Sequence, residues 1–100
     1  MKESELQIFK LISIAGESKT KAFEALKCVK KGDIKGAKEK IEEARKLDVE
    51  AHNIQTEIIT KEVSGESSQV SLLAVHAQDH YMTNQLAREL IEGIIDLYDK

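Results

Sequence analysis

Three properties of the 100-residue sequence predict an all-α fold. There is no proline, the composition is dominated by Ala, Leu, Ile, Glu and Lys with a third of the residues charged and 4% aromatic, and the apolar residues recur at helical spacing. Two glycine-containing breaks divide the chain into three long periodic segments, and short connections between long helices make consecutive helices antiparallel. The expectation is a single domain spanning residues 1–100, an antiparallel up-down-up three-helix bundle with helices over about 4–31, 34–63 and 69–98.

In the first segment Ile8, Ile12, Ala15, Ala22, Leu26 and Val29 recur every three, four or seven residues, with Lys19 interrupting the stripe. Gly16 sits inside this helix at a cost of about 1 kcal/mol relative to alanine, which leaves a kink and a close backbone approach as alternatives. The segment ends at Lys31-Gly32-Asp33, where Gly32 suits the left-handed position after a helix and Asp33 suits the cap of the next.

The second segment carries Ile34, Ala37, Ile41, Ala44, Leu47, Ala51, Ile54 and Ile58, and it ends in Ser64-Gly65-Glu66-Ser67-Ser68, turn formers without an apolar residue. The third carries Leu72, Val75, Met82, Leu86, Leu90, Ile94 and Leu97, with Asp79 inside the seam between Val75 and Met82. Leu73, Ile91, Ile95 and Tyr98 widen its apolar surface past what two neighbouring helices can cover. Rods of roughly 40 Å also expose much side surface. Both features imply a homo-oligomer in which the third helices meet around an axis.

A net charge of −3 argues against the basic footprint that nucleic acids or anionic membranes need. Lys19, Lys21, Lys27, Lys30 and Lys31 read as a solvated helix face whose cations suit a helix C-terminus. Cys28 is the single cysteine, so no internal disulfide can form, and its place between Leu26 and Val29 makes it a small core residue. No apolar run approaches the roughly 20 residues of a membrane span, and Met1 to Glu5 lack the features of a signal peptide. A cytoplasmic protein with no direct membrane insertion is expected.

The chemistry concentrates in His76-Ala77-Gln78-Asp79-His80, where residues three and four apart share a helix face. A carboxylate in an apolar seam needs protonation, pairing or a cation, and no Lys or Arg lies within a turn of Asp79. If copies of the seam face each other, converging Asp79 carboxylates suit a hard divalent cation; with the seam rotated, Asp79 reaches solvent. His76, just off the seam, can act as base, ligand or nucleophile. His80 can orient it or lie exposed, His52 reads as a surface or interface histidine, and Gln78 points away from His76 on its own helix. The string also touches the H-x-x-E-H zinc signature, with Asp79 for glutamate and His52 or Glu57 as third ligand, although aspartate is short for that task.

The run Ser71-Leu72-Leu73-Ala74-Val75-His76-Ala77-Gln78-Asp79-His80, followed by Met82 and Ile94-Ile95-Asp96-Leu97-Tyr98, resembles the enzyme IIA component of the lactose/cellobiose (N,N'-diacetylchitobiose) branch of the phosphoenolpyruvate-dependent sugar phosphotransferase system (PTS). Ala15-Gly16, Ala22, Glu24-Ala25-Leu26, Gly32-Asp33, Ala51-His52, Gln55-Thr56-Glu57 and Ser64-Gly65-Glu66 extend the resemblance over nearly the whole chain. Ala74 stands where a larger aliphatic is expected and Tyr81 where Leu is frequent.

The resemblance implies a homotrimer, a nine-helix bundle, in which His76 accepts a phosphoryl group on Nε2 from the phosphocarrier HPr and passes it to a cysteine of the cognate IIB component. The membrane permease IIC then delivers a phosphorylated β-disaccharide such as lactose, cellobiose or diacetylchitobiose. It also implies one Mg2+ ion per trimer held by the three copies of Asp79. His80 and Gln78 are the supporting residues, with His80 and groups of a neighbouring subunit as candidates to meet the phosphate oxygens. The alternative is a non-catalytic, metal-stabilised helical oligomerisation module.

Overall fold

A computed structural model describes residues 3–66 and 71–100 as three antiparallel α-helices, α1 (Glu3–Lys30), α2 (Ile34–Val63) and α3 (Leu72–Tyr98). The rod measures 50 × 22 × 19 Å along its principal axes. The ends of α1 and α2 fall within a residue of expectation. The expected start of α3 at 69 lies outside the described residues, as do Ser67 and Ser68 of the second break. Helix α3 begins after Ser71, whose extended backbone (φ −114, ψ 157) and hydroxyl, accepting from the Ala74 N–H at 3.0 Å, form an N-cap.

Both breaks stop their helices by the same device. The Gly32 N–H donates to the Val29 carbonyl and the Asp33 N–H to the Cys28 carbonyl, each at 2.9 Å, with Gly32 at φ +80. This paired closure requires a left-handed residue, which glycine adopts without a Cβ penalty. Gly65, at φ +80, repeats the pattern with Glu62 and Lys61. Asp33 then caps α2 by accepting from the Gly36 N–H at 2.9 Å.

The core lies in two apolar halves. Ala22, Ala25, Val29, Ala37, Ile41, Ala44, Ile91 and Ile95 pack at the end nearer the first turn, with Leu26, Cys28 and Ile94 against them. Leu11, Ile14, Ala15, Ala51, Ile54, Ala77 and Tyr81 pack at the other end, joined by Ile8, Ile12, Leu47 and Ile58. Cys28 is half-buried, as a small core residue should be. Alanine fills many of these inward positions, so the helices approach closely.

The inward face of α3 differs from the expected stripe. Ala77, Tyr81, Asn84, Ile91 and Ile95 are buried within the chain. Leu72, Val75, Met82, Leu86, Leu90 and Leu97, read from the sequence as the main stripe, are 44–86% exposed on the opposite side, and of that stripe Ile94 alone packs against the core. The residues thought merely to widen the apolar surface, Ile91 and Ile95, are the ones that hold α3 to its neighbours. Periodicity finds the most apolar row, and in α3 that row faces outward.

Candidate functional site

His76 and His80 project from adjacent turns of α3 with rings nearly parallel (4° between planes) and centroids 6.0 Å apart. His76 is exposed and His80 half-buried. Helix α1 crosses behind His80 at Gly16, where an added Cβ would stand 3.4 Å from Nε2. Gly16 makes no kink, since α1 stays helical through it, and it brings the α1 backbone against His80 with room for no side chain much larger than a methyl group between them.

Burial first, and then the charge of Lys19 and the proximity of His76, push the His80 pKa below the ordinary histidine value. His80 is thus kept neutral, with one N–H to donate and one nitrogen to accept. The pair presents one exposed imidazole backed by a half-buried one.

Asp79 sits on the outward apolar row between Val75 and Met82, exposed. Its backbone carbonyl accepts the Thr83 hydroxyl at 2.7 Å, and none of the ion pairs among the described residues involves its carboxylate. Gln78 turns the other way, its Oε1 accepting from Gln55 Nε2 on α2, as its position on the helix required. His52 is exposed on α2, with Nδ1 3.3 Å from the hydroxyl of Tyr81. Tyr81 thereby combines a buried ring with a partnered polar tip.

These positions dismantle the zinc-peptidase arrangement. Glu57 accepts from Gln7 Nε2 at 2.7 Å and His52 faces Tyr81, so neither completes a set with His76 and His80. Among the described residues no three His, Cys, Asp or Glu side chains come together as a metal-ligand group. A cation at Asp79 would need carboxylates from further copies of the chain.

A second polar constellation, absent from the sequence reading, lies between the two halves of the core. Asp48 of α2 is buried, and its Oδ1 accepts from Ser18 Oγ at 2.7 Å and Asn84 Nδ2 at 3.1 Å, while Oδ2 is bound by Arg88 Nε. Arg88 continues to Glu92 Oε1 at 2.9 Å, which Arg45 also reaches at 2.7 Å. Burial opposes the charge on Arg88, and the bonds to Asp48 and Glu92 outweigh it, holding the guanidinium above its ordinary pKa. The sequence did contain a signal. Ser18, Asp48 and Asn84 each continue a buried stripe of their helix, Ala15-Ser18-Ala22, Ala44-Asp48-Ala51 and Tyr81-Asn84-Arg88, and so meet at one level of the bundle.

Residues 6–99 match the family described as PTS system, lactose/cellobiose specific IIA subunit. The chain is 39% identical over 98 residues to the lichenan-specific phosphotransferase enzyme IIA component of Bacillus subtilis strain 168, spanning 98% of this chain and 89% of that protein. Its fold superimposes on the crystal structure of the cellobiose-specific PTS enzyme IIA from Bacillus anthracis with a TM-score of 0.93 at 39% identity, covering 99% and 91% of the two chains. A solution structure of the IIA(chitobiose)–HPr complex of the N,N'-diacetylchitobiose branch of the Escherichia coli phosphotransferase system matches with a TM-score of 0.84 at 39% identity, covering 99% and 96%.

Proposed function

The chain belongs to the lactose/cellobiose-specific IIA family of the phosphotransferase system, and from that premise we propose that it relays phosphoryl groups through His76. The observation carrying this reading is the exposed His76 imidazole stacked against a His80 that Gly16 seats and its surroundings keep uncharged. Phosphoryl transfer through a loose transition state asks mainly for an aligned nucleophile and donors for the phosphate oxygens. The lone pair of His76 Nε2 attacks the phosphorus carried by HPr, and the bond from phosphorus to the donor breaks with its electron pair leaving on HPr. A cysteine sulfur of the IIB component then attacks the same phosphorus and returns the pair to His76. In this reading His80, one turn from His76, is a candidate donor to a phosphoryl oxygen.

The HPr complex of the chitobiose relative supports HPr as donor. The relatives named for lichenan, cellobiose and chitobiose support a β-linked sugar as the final acceptor, with IIC at the membrane choosing which. No helix among the described residues is long and apolar enough to cross a membrane, which suits a cytoplasmic carrier working beside that permease. The outward row of α3 supports a homotrimer with these helices at the axis. Its one carboxylate, Asp79, fits a shared cation such as Mg2+ as one of three identical ligands.

The test is incubation with phosphoenolpyruvate, enzyme I and HPr. Acid-labile phosphate is expected on the protein and none on the His76→Gln variant; label persisting in that variant overturns the assignment. The alternative, a non-catalytic module held together by metal on Asp79, predicts no label on either protein and an assembly sensitive to chelation.

A further inference from the structure

Helix α3 carries two apolar faces, and apolarity alone favours the wrong one for packing inside the chain. The outward row of Leu72, Val75, Met82, Leu86 and Leu90 is richer in large aliphatics than the inward set of Ala77, Tyr81, Ile91 and Ile95. The surface that receives α3 discriminates poorly between them. Its buried residues, Ala15, Ala22, Ala25, Ala44 and Ala51 among Leu11, Ile14, Val29, Ile41 and Ile54, are apolar throughout, so aliphatic side chains of either row could pack against them. The polar layer discriminates sharply, because Asp48 and Ser18 are already buried on the α1–α2 hairpin and α3 offers them Asn84 and Arg88 on one face only.

We infer that the layer of Ser18, Asp48, Asn84 and Arg88 selects the rotational setting of α3, and thereby decides that His76 and Asp79 are presented outward. With α3 turned to bury its leucine row, Asp79 inside that row would be buried too, and to that cost the layer adds its own: Asp48 would lose both α3 partners while remaining buried, and an unpaired buried carboxylate is among the most costly defects a core can hold. The same turn would carry Asn84 and Arg88 away from Asp48 and remove His80 from Gly16. Asp48 and Arg88 are positioning residues in this sense: they touch no reacting atom and fix the face on which the reacting atom lies. A polar residue that specifies register at some expense of stability has precedent in helical assemblies.

The experiment follows thiols, so it is independent of the relay reading. In a Cys28→Ala background, Ile91→Cys reports on the inward face of α3 and Ile41→Cys on α2, both positions being buried in the parent. Each is combined with the neutral pair Asp48→Asn and Arg88→Met, or with a fully apolar layer that uses Asp48→Leu and Arg88→Met and adds Ser18→Ala and Asn84→Leu. At a dilution where sedimentation shows the chain monomeric, removing the layer is expected to speed modification at position 91 by about tenfold or more under native conditions, since labelling follows the population of the exposed state, while position 41 keeps its parental rate. Equal protection at both positions overturns the proposal, because α3 then keeps its setting without the layer. Equal acceleration at both overturns it as well, because the layer would then hold the whole fold together rather than select a face. Where the fully apolar layer loses its helical circular dichroism, the neutral pair decides by the same two rates.

Discussion

The middle of the bundle and the outer face of α3 each set an aspartate in a row of apolar side chains, and they satisfy it by opposite means. Asp48 finds its hydroxyl, amide and guanidinium within the chain, one or more from each neighbouring helix. Asp79 finds no ion-pair partner among the described residues, and its flanking Val75 and Met82 are exposed. A satisfied buried carboxylate specifies how one chain folds; an unsatisfied one in an apolar row anticipates a second chain. On the proposed homotrimer the two sites would divide intrachain specification from assembly, and mutations in them should behave differently.

The largest effect is expected at the inner site. Asp48→Leu leaves Arg88, whose side chain is 11% exposed, without its main partner, and should cost about 3–5 kcal/mol in guanidinium denaturation. A loss under about 1 kcal/mol would mean that water reaches the layer freely and the contrast fails. At the outer site the sign reverses. If the proposed homotrimer holds, Asp79→Leu should preserve it and raise its stability by about 1–2 kcal/mol, because an apolar side chain would replace converging charges. Sedimentation equilibrium and melting with and without chelator check this, and dissociation of the variant would refute it.

Smaller effects sharpen the link between the two regions at Gly16. Gly16→Ala should gain up to about 1 kcal/mol of helix stability, since its Cβ meets His80 Nε2 at the edge of ordinary contact. Gly16→Val should displace His80 and slow phosphorylation by HPr; identical labelling rates in the two variants would show that the seat is unimportant. The smallest effect is a pH slope. The His80 pKa is depressed in the fold, by burial first and then by Lys19 and His76, so the unfolded chain binds this proton more readily. Stability is then unaffected by this group above the ordinary value of about 6.5 and falls as pH drops through and below it. His80→Gln should flatten that part of the stability profile, as read by melting temperature between neutral and mildly acidic buffer.

The three helices, both glycine stops and the crowded turn at His76 were legible in the sequence because each rests on local rules: propensity, capping and three-four spacing. The buried row of α2 was legible too, its alanines and isoleucines having no competitor on that helix. In α3 the rule misled, since Leu72, Val75, Met82, Leu86 and Leu90 form the more apolar row and face away from α1 and α2. In α1 Lys19 seemed to break the stripe, whereas Ser18 continues it. The polar layer stayed hidden because Ser, Asp, Asn and Arg carry a strong prior for the surface; only the joint position of all four at one level reveals it. Gly16 could be read as costly but not as the seat of His80, a contact between residues distant in sequence.

The alanine lining of the bundle has a bearing on how this sequence can change. Seven alanines are buried among the described residues, and truncation at those positions removes little, so the cavity-forming route to instability is confined to the larger residues between them, such as Leu11, Ile41 and Ile91. Enlargement is the sensitive direction, because a bulkier side chain between closely spaced helices must part them. Drift in this chain should therefore be conservative in volume at its alanine positions and freer at its broad apolar exterior, where the chain itself sets no limit on size.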